Sequence, residues 1–236
     1  MLGQRSVSNN LLVDGLDNND RTVGGASGAF SQEAIREFQV LTGSYPAEFG
    51  NATGGVINIV TRSGTNTVVG SAFTYYRDDA LNARNYFERT NAPFSQWQFG
   101  GAVGGPLRRG RTFLFSSAER RAATASNFVT IDSAAAAVLT SAGFAVERGD
   151  VPFDDRANQA MARLDHYWKP ESSFNLRWQW SNAFNGNYAP FGGLVARSAG
   201  GYATRADWGV AASQTNVFGQ RWVNEARLQV TRQRHT

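Results

Sequence analysis

The most constraining feature of the sequence is a strict two-residue alternation that begins at Phe174. Apolar side chains occupy every second position, and polar side chains such as Arg177 and Gln179 fill the positions between them. Successive side chains of a β-strand point to opposite faces, so this pattern predicts a long strand with one apolar and one polar face. The apolar positions are Phe174, Leu176, Trp178, Trp180 and Phe184.

The same alternation recurs in many other parts of the chain. A soluble β-sandwich would also alternate, so the periodicity by itself leaves a sandwich and a membrane barrel open. The further apolar series are Phe73 and Tyr75; Trp97, Phe99 and Val103; Phe113 and Phe115; Ala160, Ala162, Leu164 and Trp168; Trp208, Val210 and Ala212; and Trp222, Ala226, Leu228 and Val230.

Three features favour the membrane barrel. The predicted strands are long, aromatic residues lie near their ends, and tight turns alternate with long connections. Tight turns are predicted at 104–110 and 169–172, and long connections at about 122–156 and 186–201.

The first long connection is expected to contain a helix. Its alanine-rich stretch from Ser133 to Ser141 follows Asp132, a suitable N-cap, and precedes Gly143, which would end the helix.

Hydropathy restricts how such a chain could cross a membrane. The mean hydropathy is −0.37, and the longest purely apolar stretch, Ala134 to Leu139, is far shorter than the roughly 18 residues of a transmembrane helix. Any membrane span must therefore be a β-strand, which needs only about 9 to 11 residues. Because 12% of the residues are aromatic, including six tryptophans, something apolar must cover them.

Charge and cysteine content exclude several functions. The formal charge is +4, and it comes from arginine, since Lys169 is the only lysine. The basic residues stand singly among acids such as Asp78 and Glu119, which favours a solvated pore wall or loop surface over nucleic-acid binding. There is no cysteine, which excludes disulfides, thiolate catalysis and cysteine metal sites in this chain.

The first 66 residues have a different character and predict a small mixed α/β unit. A strand at Leu11–Val13 is followed by turns and a glycine-rich loop, and Ser31 is placed to cap a helix from Gln32 to about Glu37. Two strands follow, Phe38–Leu41 and Val56–Val60. A unit of about 60 residues is small for independent stability, so we expect it to rest on something larger.

Three sequence features could suggest a binding or catalytic site, and each has a simpler interpretation. The stretch from Gly105 to Thr112 has P-loop spacing, but an alternating strand follows it instead of a helix, which favours a turn. His166 and His235 are the only histidines and belong to no zinc or serine-hydrolase pattern, so no enzyme activity and no metal site is expected. Oxygen ligands for Ca²⁺ are conceivable in the run Asp14, Asp17, Asn18 and Asp20, but the EF-hand spacing is missing and Asx-turns are favoured.

Taken together, residues 12–65, with LVDGLDNND and EAIREFQVLTGSYPAEFGNATGGVINIVTRSGT, resemble the second half of the plug domain of TonB-dependent outer-membrane receptors, in their Oar-like branch. The following GSAFTYYRDDALNARNYFERTNAPFSQWQFGGAVGGPLRRGRTFLFSSAERR is similar to the first barrel strands of that branch, and RLDHYWKPESSFNLRWQWSNAF fits later hairpins. Both ends of the chain look cut, so a fragment is expected.

The resemblance implies the fold and the setting. We expect an α+β plug fragment at residues 1–66, followed at 67–236 by antiparallel transmembrane β-barrel strands that form part of a barrel of roughly 22 strands. The location would be the cell outer membrane, and the function would be import of an unknown external ligand. The expected partners are outer-membrane lipid and a TonB-type energy-coupling protein whose contact segment is absent here, with no cofactor and no nucleic acid. The alternative is a secreted or surface β-rich adhesin.

Candidate site residues follow from the residues and from the resemblance. Glu37 and Arg62 could make charge-assisted contacts between plug and barrel, or be a helix-face charge and a solvated strand end. Asn58 could bond the barrel wall through its amide, and Gly54 and Gly55 allow close backbone approach or positive φ before a buried strand.

The resemblance also implies that the loop 43–50 lies near the plug apex. Tyr45 and Phe49 would then contact the ligand, with packing of Phe49 into the plug core as the alternative.

Overall fold

The computed structural model describes residues 5, 8–20, 22, 24–43, 45, 50, 52–83 and 91–236. Most of the described chain is β-strand, arranged as a small N-terminal sheet and a larger antiparallel sheet. The larger sheet is called the wall below, and the described residues up to position 66 are called the N-terminal segment.

The wall is a meander of seven strands in which each strand pairs with its neighbours in sequence. Turns at one end are short, and connections at the other end are long; these are termed the short-turn end and the long-loop end. The wall is open, because β7 and β13 form its two edges in the described part of the chain. Its strands are β7 (Val69–Asp78), β8 (Phe94–Arg108), β9 (Thr112–Val129), β10 (Gly149–Lys169), β11 (Ser172–Ala189), β12 (Gly201–Phe218) and β13 (Trp222–His235).

The N-terminal segment contains a four-stranded mixed sheet in the order β2-β1-β6-β5. β1 runs parallel to β6, and β5 runs antiparallel to it. A short hairpin of β3 and β4 lies beside this sheet. The strands are β1 (Asn9–Val13), β2 (Leu16–Asp17), β3 (Asn19–Asp20), β4 (Gly25–Ala26), β5 (Ile35–Leu41) and β6 (Gly55–Thr61).

The helix predicted at Gln32 to Glu37 is wrong. Ser31 does act as a cap, since its hydroxyl accepts from Glu33 N at 3.3 Å, but only a 3₁₀ turn at Gln32–Ala34 follows before β5 begins. Helix nucleation is unfavourable over so few residues, whereas β6 offers a backbone ladder to pair with. The α+β character expected for this segment is therefore not evident.

The one α-helix of the described chain is α1 (Ser133–Ser141), as predicted. The Asp132 carboxylate accepts from Ala134 N and Ala135 N, and Gly143 follows the helix with φ of 92°. The hydrogen bonds to the backbone N–H groups of Ala134 and Ala135 lower the pKa of Asp132. No helix in the described ranges has the length and hydropathy needed to cross a membrane.

The two long connections are shorter than predicted. Residues 122–129 pair in register with residues 149–156, so β9 and β10 extend well into the expected loop, and only 130–148 connects them. The same holds for β11, which continues to Ala189. The sequence pattern does not reveal these strand ends, because small and polar residues such as Ala123 and Thr124 show little alternation of apolar and polar side chains.

The two faces of β11 are as predicted. Trp178 and Trp180 are 42% and 37% exposed on the outward face, while Arg177 and Gln179 are 3% and 8% exposed and point toward the N-terminal segment.

Two of the shorter series lie on the other face. Phe73 pairs with Gly100, and Phe115 packs against Ala34, so Phe73, Tyr75, Phe113 and Phe115 point inward. Alternation identifies the two faces of a strand but does not say which one meets the segment.

The P-loop-like stretch is a hairpin turn. β8 ends at Arg108 and β9 begins at Thr112, and Arg111 N bonds Arg108 O at 3.0 Å to close the turn. No helix begins there, as the turn interpretation required.

Candidate functional site

The functional geometry of this chain lies where the N-terminal segment rests on the inward face of the wall. Asp14 is at the centre of this interface. It follows β1 with φ of 50°, the only positive φ of a non-glycine residue in the described chain, and its backbone N–H bonds Ile59 O at 2.8 Å. Asn58 Oδ1 accepts from Gly15 N at 2.9 Å and so holds the turn after Asp14.

The carboxylate of Asp14 joins the segment to two wall strands. It accepts from Thr61 N and Thr61 Oγ1, both at 2.9 Å, within the segment. From the wall, Arg163 Nη1 donates to it at 3.3 Å, and Arg177 Nη1 forms a close ion pair with it. The side chains of Arg163 and Arg177 are 15% and 4% exposed, so this contact is largely shielded from water.

Arg163 is held in place by its own strand. Its guanidinium donates to the Asp165 carboxylate at 2.9 to 3.1 Å, and it also reaches Thr61 Oγ1 at 2.8 Å. Two arginines and two carboxylates therefore form one network across the interface. A buried charge is tolerated only when it is paired in this way.

A second charged contact forms around the β3–β4 hairpin. Arg205 lies 3.5 Å from the buried Asp20 carboxylate, and it donates to the carbonyl oxygens of Ala26 and Ser27 at 2.6 Å each. Its Nε also pairs with Asp207 of the same strand at 2.5 Å.

The third contact involves Ser31, which caps the 3₁₀ turn, and Glu33, which lies within it. Ser31 Oγ donates to Glu119 Oε2 at 2.6 Å, and Gln98 donates to the other oxygen of Glu119. Ser71 of β7 donates to Glu33 Oε2, also at 2.6 Å. The bonds of Ser31 and Glu33 tie the segment to β9 and β7, and Gln98 of β8 holds Glu119 in place.

Strand β13 supplies the last set of contacts. Arg227 donates to Gly15 O at 3.2 Å and Gln229 to Asp17 O at 2.8 Å. Among the described residues, the buried apolar cluster at the interface is small: it consists of Ala34, Phe115 and Met161, with Phe30 and Ala102 packed against it. The two parts are therefore joined mainly by hydrogen bonds and ion pairs, which water can replace when the parts separate.

The interface residues proposed from the sequence lie near this contact without forming its centre. Arg62 lies 3.5 Å from Glu33, which bonds Ser71, so it reaches the wall through one intermediate side chain. Glu37 lies on β5 with its carboxylate accepting from Gln39, and the Asn58 amide donates to Gln39 within the segment. Both thus make contacts inside the segment.

The remaining proposed residues lie in the loop before β6 and at the first position of that strand. Gly54 and Gly55 are buried at the entry to β6, and Gly54 N bonds Ser8 O at 2.9 Å. Tyr45 is half-buried, and its hydroxyl donates to Ala52 O. Phe49 lies outside the described residues.

The sequence does not predict the residues at the centre of the interface. It favours turn roles for Asp14 and Asp20, with calcium binding as the alternative, yet each faces an arginine of the wall. In the part of the chain that is described, no group of three or more histidine, cysteine or acidic side chains could hold a metal ion. Two sequence features could have indicated these ion pairs: an acid directly after a buried strand, and arginines on the polar face of long strands.

Comparison with known proteins agrees with this architecture. The family model described as outer membrane beta barrel domain matches residues 60–149 and 140–236. The TonB-dependent transporter Oar of Myxococcus xanthus is 34% identical over 122 residues, which cover 48% of this chain and 12% of the transporter.

Solved structures show the same fold. The siderophore receptor PirA from Acinetobacter baumannii superposes with a TM-score of 0.65 at 20% identity, over 100% of this chain and 33% of that receptor. A mutant ferric enterobactin receptor PfeA from Pseudomonas aeruginosa gives 0.62 at 17% identity, over 100% and 34%. The outer membrane transporter YddB from Escherichia coli gives 0.62 at 13% identity, over 98% and 32%. The chain thus spans about a third of these proteins, and the matches do not favour an adhesin.

Proposed function

Because the chain belongs to the outer membrane beta barrel domain family and is located in the outer membrane, we propose that the whole protein is a TonB-dependent receptor that imports an external ligand. In this proposal, residues 1–66 are the second half of a plug and residues 67–236 are the first strands and loops of the barrel. The plug would close the lumen until a TonB-type protein pulls on it.

The observation that carries the proposal is the ion-pair network of Asp14 with Arg163 and Arg177. It lies on the inward face of a sheet whose outward face exposes Trp178, Trp180 and other apolar side chains. An outward apolar face is covered by lipid in an outer-membrane barrel. A polar inward face that holds a separate segment by exchangeable contacts fits a plug that has to move.

The polarity of the wall supports an external ligand. Long connections at 130–148 and 190–200 lie at one end, and tight turns lie at the other. In outer-membrane barrels the long loops are extracellular and the short turns periplasmic. The ligand would therefore approach from the long-loop end.

Coupling to TonB is tested with the full-length receptor, purified from outer membranes in detergent. The C-terminal domain of the host's TonB-type protein is expected to bind it in a surface plasmon resonance measurement, and an unrelated porin from the same membrane serves as the control. Equal signals for receptor and porin would contradict the proposal.

Tyr45 and Phe49 are proposed to contact the ligand, and Glu37, Asn58 and Arg62 are proposed to lie at the interface of plug and barrel. The ligand contact of Phe49 is tested in the same full-length receptor. A panel of ferric siderophores, cobalamin, glycans and peptides is screened by fluorescence quenching. Phe49→Ala is then expected to weaken binding of the compound found while leaving folding intact. A decrease of about 3 to 5 kcal/mol in the free energy of unfolding would instead indicate that Phe49 packs in the plug core.

A further inference from the structure

A cavity of about 500 Å³ lies between the end of the N-terminal segment and the inward face of strands β7 to β9. This volume is within the range of about 300 to 1,000 Å³ that is usual for small-solute sites. The residues that matter for its chemistry are Arg36, Arg62, Ser63, Ser71, Gly104 and Phe115.

A β-bulge places Arg36 at this cavity. In the pairing of β5 with β6, Ile35 stands opposite Thr61 and Glu37 opposite Val60, which leaves Arg36 as the extra residue. Bulges redirect a side chain and are frequent beside functional sites. Within the described ranges, no carboxylate forms an ion pair with the Arg36 guanidinium, whereas Arg62 is paired with Glu33.

The cavity therefore carries a net positive charge. Two guanidinium groups stand beside one carboxylate, that of Glu33, which is already shared between Arg62 and Ser71. Ser63 and Ser71 line the same space. Guanidinium groups bind carboxylate and phosphate oxygens with charge-assisted hydrogen bonds, so this lining favours an anion.

Gly104 lets the wall approach this space closely. A Cβ at Gly104 would meet the Phe115 ring at 3.0 Å and Gly64 Cα at 3.3 Å. Gly104 lies on β8 and lines the cavity together with Arg36.

We propose that this cavity binds anionic groups of the solute as it passes between the N-terminal segment and the wall, with Arg36 as the contacting cation. This inference rests on the proposed import function. The cavity borders both parts that would separate during import, and a passing solute would meet it on the inward face of β7 to β9.

The test uses a cysteine reporter in the full-length receptor, after replacement of any cysteine outside this chain by serine. Ser63→Cys places a thiol in the cavity lining. Its reaction rates with an anionic and a cationic methanethiosulfonate reagent are compared. Because both reagents attack the same thiolate, the rate ratio reports the local potential independently of the thiol's ionisation.

In the parent receptor, the ratio of the anionic to the cationic reaction rate is expected to be about tenfold higher than the same ratio for free cysteine. This is the lower end of electrostatic focusing in clefts. Arg36→Gln should bring the ratio close to that of free cysteine. Arg120→Gln removes the same charge from a position paired with Phe99 on the outward face and should leave the ratio unchanged. Inorganic phosphate should slow labelling in the parent and not in Arg36→Gln.

A ratio like that of free cysteine in the parent, or no reaction with either reagent, would overturn the inference. Absence of protection by phosphate would do the same. These outcomes are independent of TonB binding, so failure of the import proposal can be told apart from failure of the anion site.

Discussion

Asp14 of the N-terminal segment and Arg177 of β11 are 163 positions apart in the sequence and form an ion pair in which the arginine side chain is 4% exposed. Arg163 reaches the same carboxylate from the neighbouring strand. This contact joins the segment to the middle of the wall. Its removal would take the carboxylate partner away from the buried guanidinium of Arg177, whereas Arg163 would keep Asp165.

Asp14→Asn is therefore expected to weaken the attachment of the segment in the full-length receptor by about 3 to 5 kcal/mol, since breaking a buried ion pair leaves an uncompensated charge. Urea titration with proteolytic release of the segment as the readout measures this. Asp154→Asn breaks the exposed pair with Arg156 and should change the midpoint by less than about 1 kcal/mol. Equal shifts for both variants would show that the Asp14 network does not hold the segment.

The outward face of β11 is expected to contact lipid. Trp178 lies six positions from the short-turn end of an 18-residue strand, close to the middle of a membrane span of about 9 to 11 residues. Trp178→Arg should then cost about 2 to 4 kcal/mol in the free energy of insertion.

Tyr188→Arg, near the long-loop end of β11, is the matched control and should cost at most about 1 kcal/mol. Both variants of the full-length receptor are folded into lipid vesicles, and the folded fraction is measured by heat-modifiable migration in gels. Similar damage at both positions would argue against the assigned membrane depth.

Gly64 is required where the segment passes into the wall. A Cβ at this position would meet Leu114 O at 2.5 Å and Gly105 O at 2.7 Å, and neither backbone atom can move freely within the wall. Gly64→Ala should increase the rate at which protease cuts the segment in the folded receptor. Gly25→Ala, where no atom lies within 4 Å of the added Cβ, should leave that rate unchanged; an increase there too would contradict this explanation.

Helix α1 is expected to depend on the ionised carboxylate of Asp132. Hydrogen bonds from Ala134 N and Ala135 N lower the pKa of this group, so the cap stabilises the helix above the unfolded pKa of about 3.9 and is lost as pH falls through the lower folded pKa. Protection factors of the amides in Ser133–Ser141, from hydrogen exchange, should fall between about pH 6 and about pH 3.

Two variants separate charge from capping at this position. Asp132→Asn keeps a capping oxygen without a titrating group, so protection should become independent of pH. Asp132→Ala should lower protection at both pH values. A pH response that persists in Asp132→Asn would assign the effect to another group.

Alternation along the strands could be interpreted from the sequence, because it depends only on the two-residue repeat of β-structure. It identified the two faces of β11 and the hairpin turn after Arg108. The cap at Asp132 was also predictable, since it joins residues two and three positions apart.

Contacts between distant residues decided the rest. The helix expected at Gln32 gave way to β5 because β6, more than twenty positions later, offers a backbone partner. Residues 122–129 became strand because residues 149–156 pair with them, and Phe73 turned inward because Gly100 stands opposite it.

By itself, the sequence determined the strand periodicity, the membrane-type outward face and the local caps and turns, since each arises from neighbours in the chain. The tertiary structure alone decided which acid meets which arginine. A turn or a strand position explains each of these residues by itself. Only the docking of the segment on the wall brings Asp14 to Arg177 and Asp20 to Arg205. Pairing of buried charges is a property of the interface between the two parts, so neither part alone shows which acid meets which arginine.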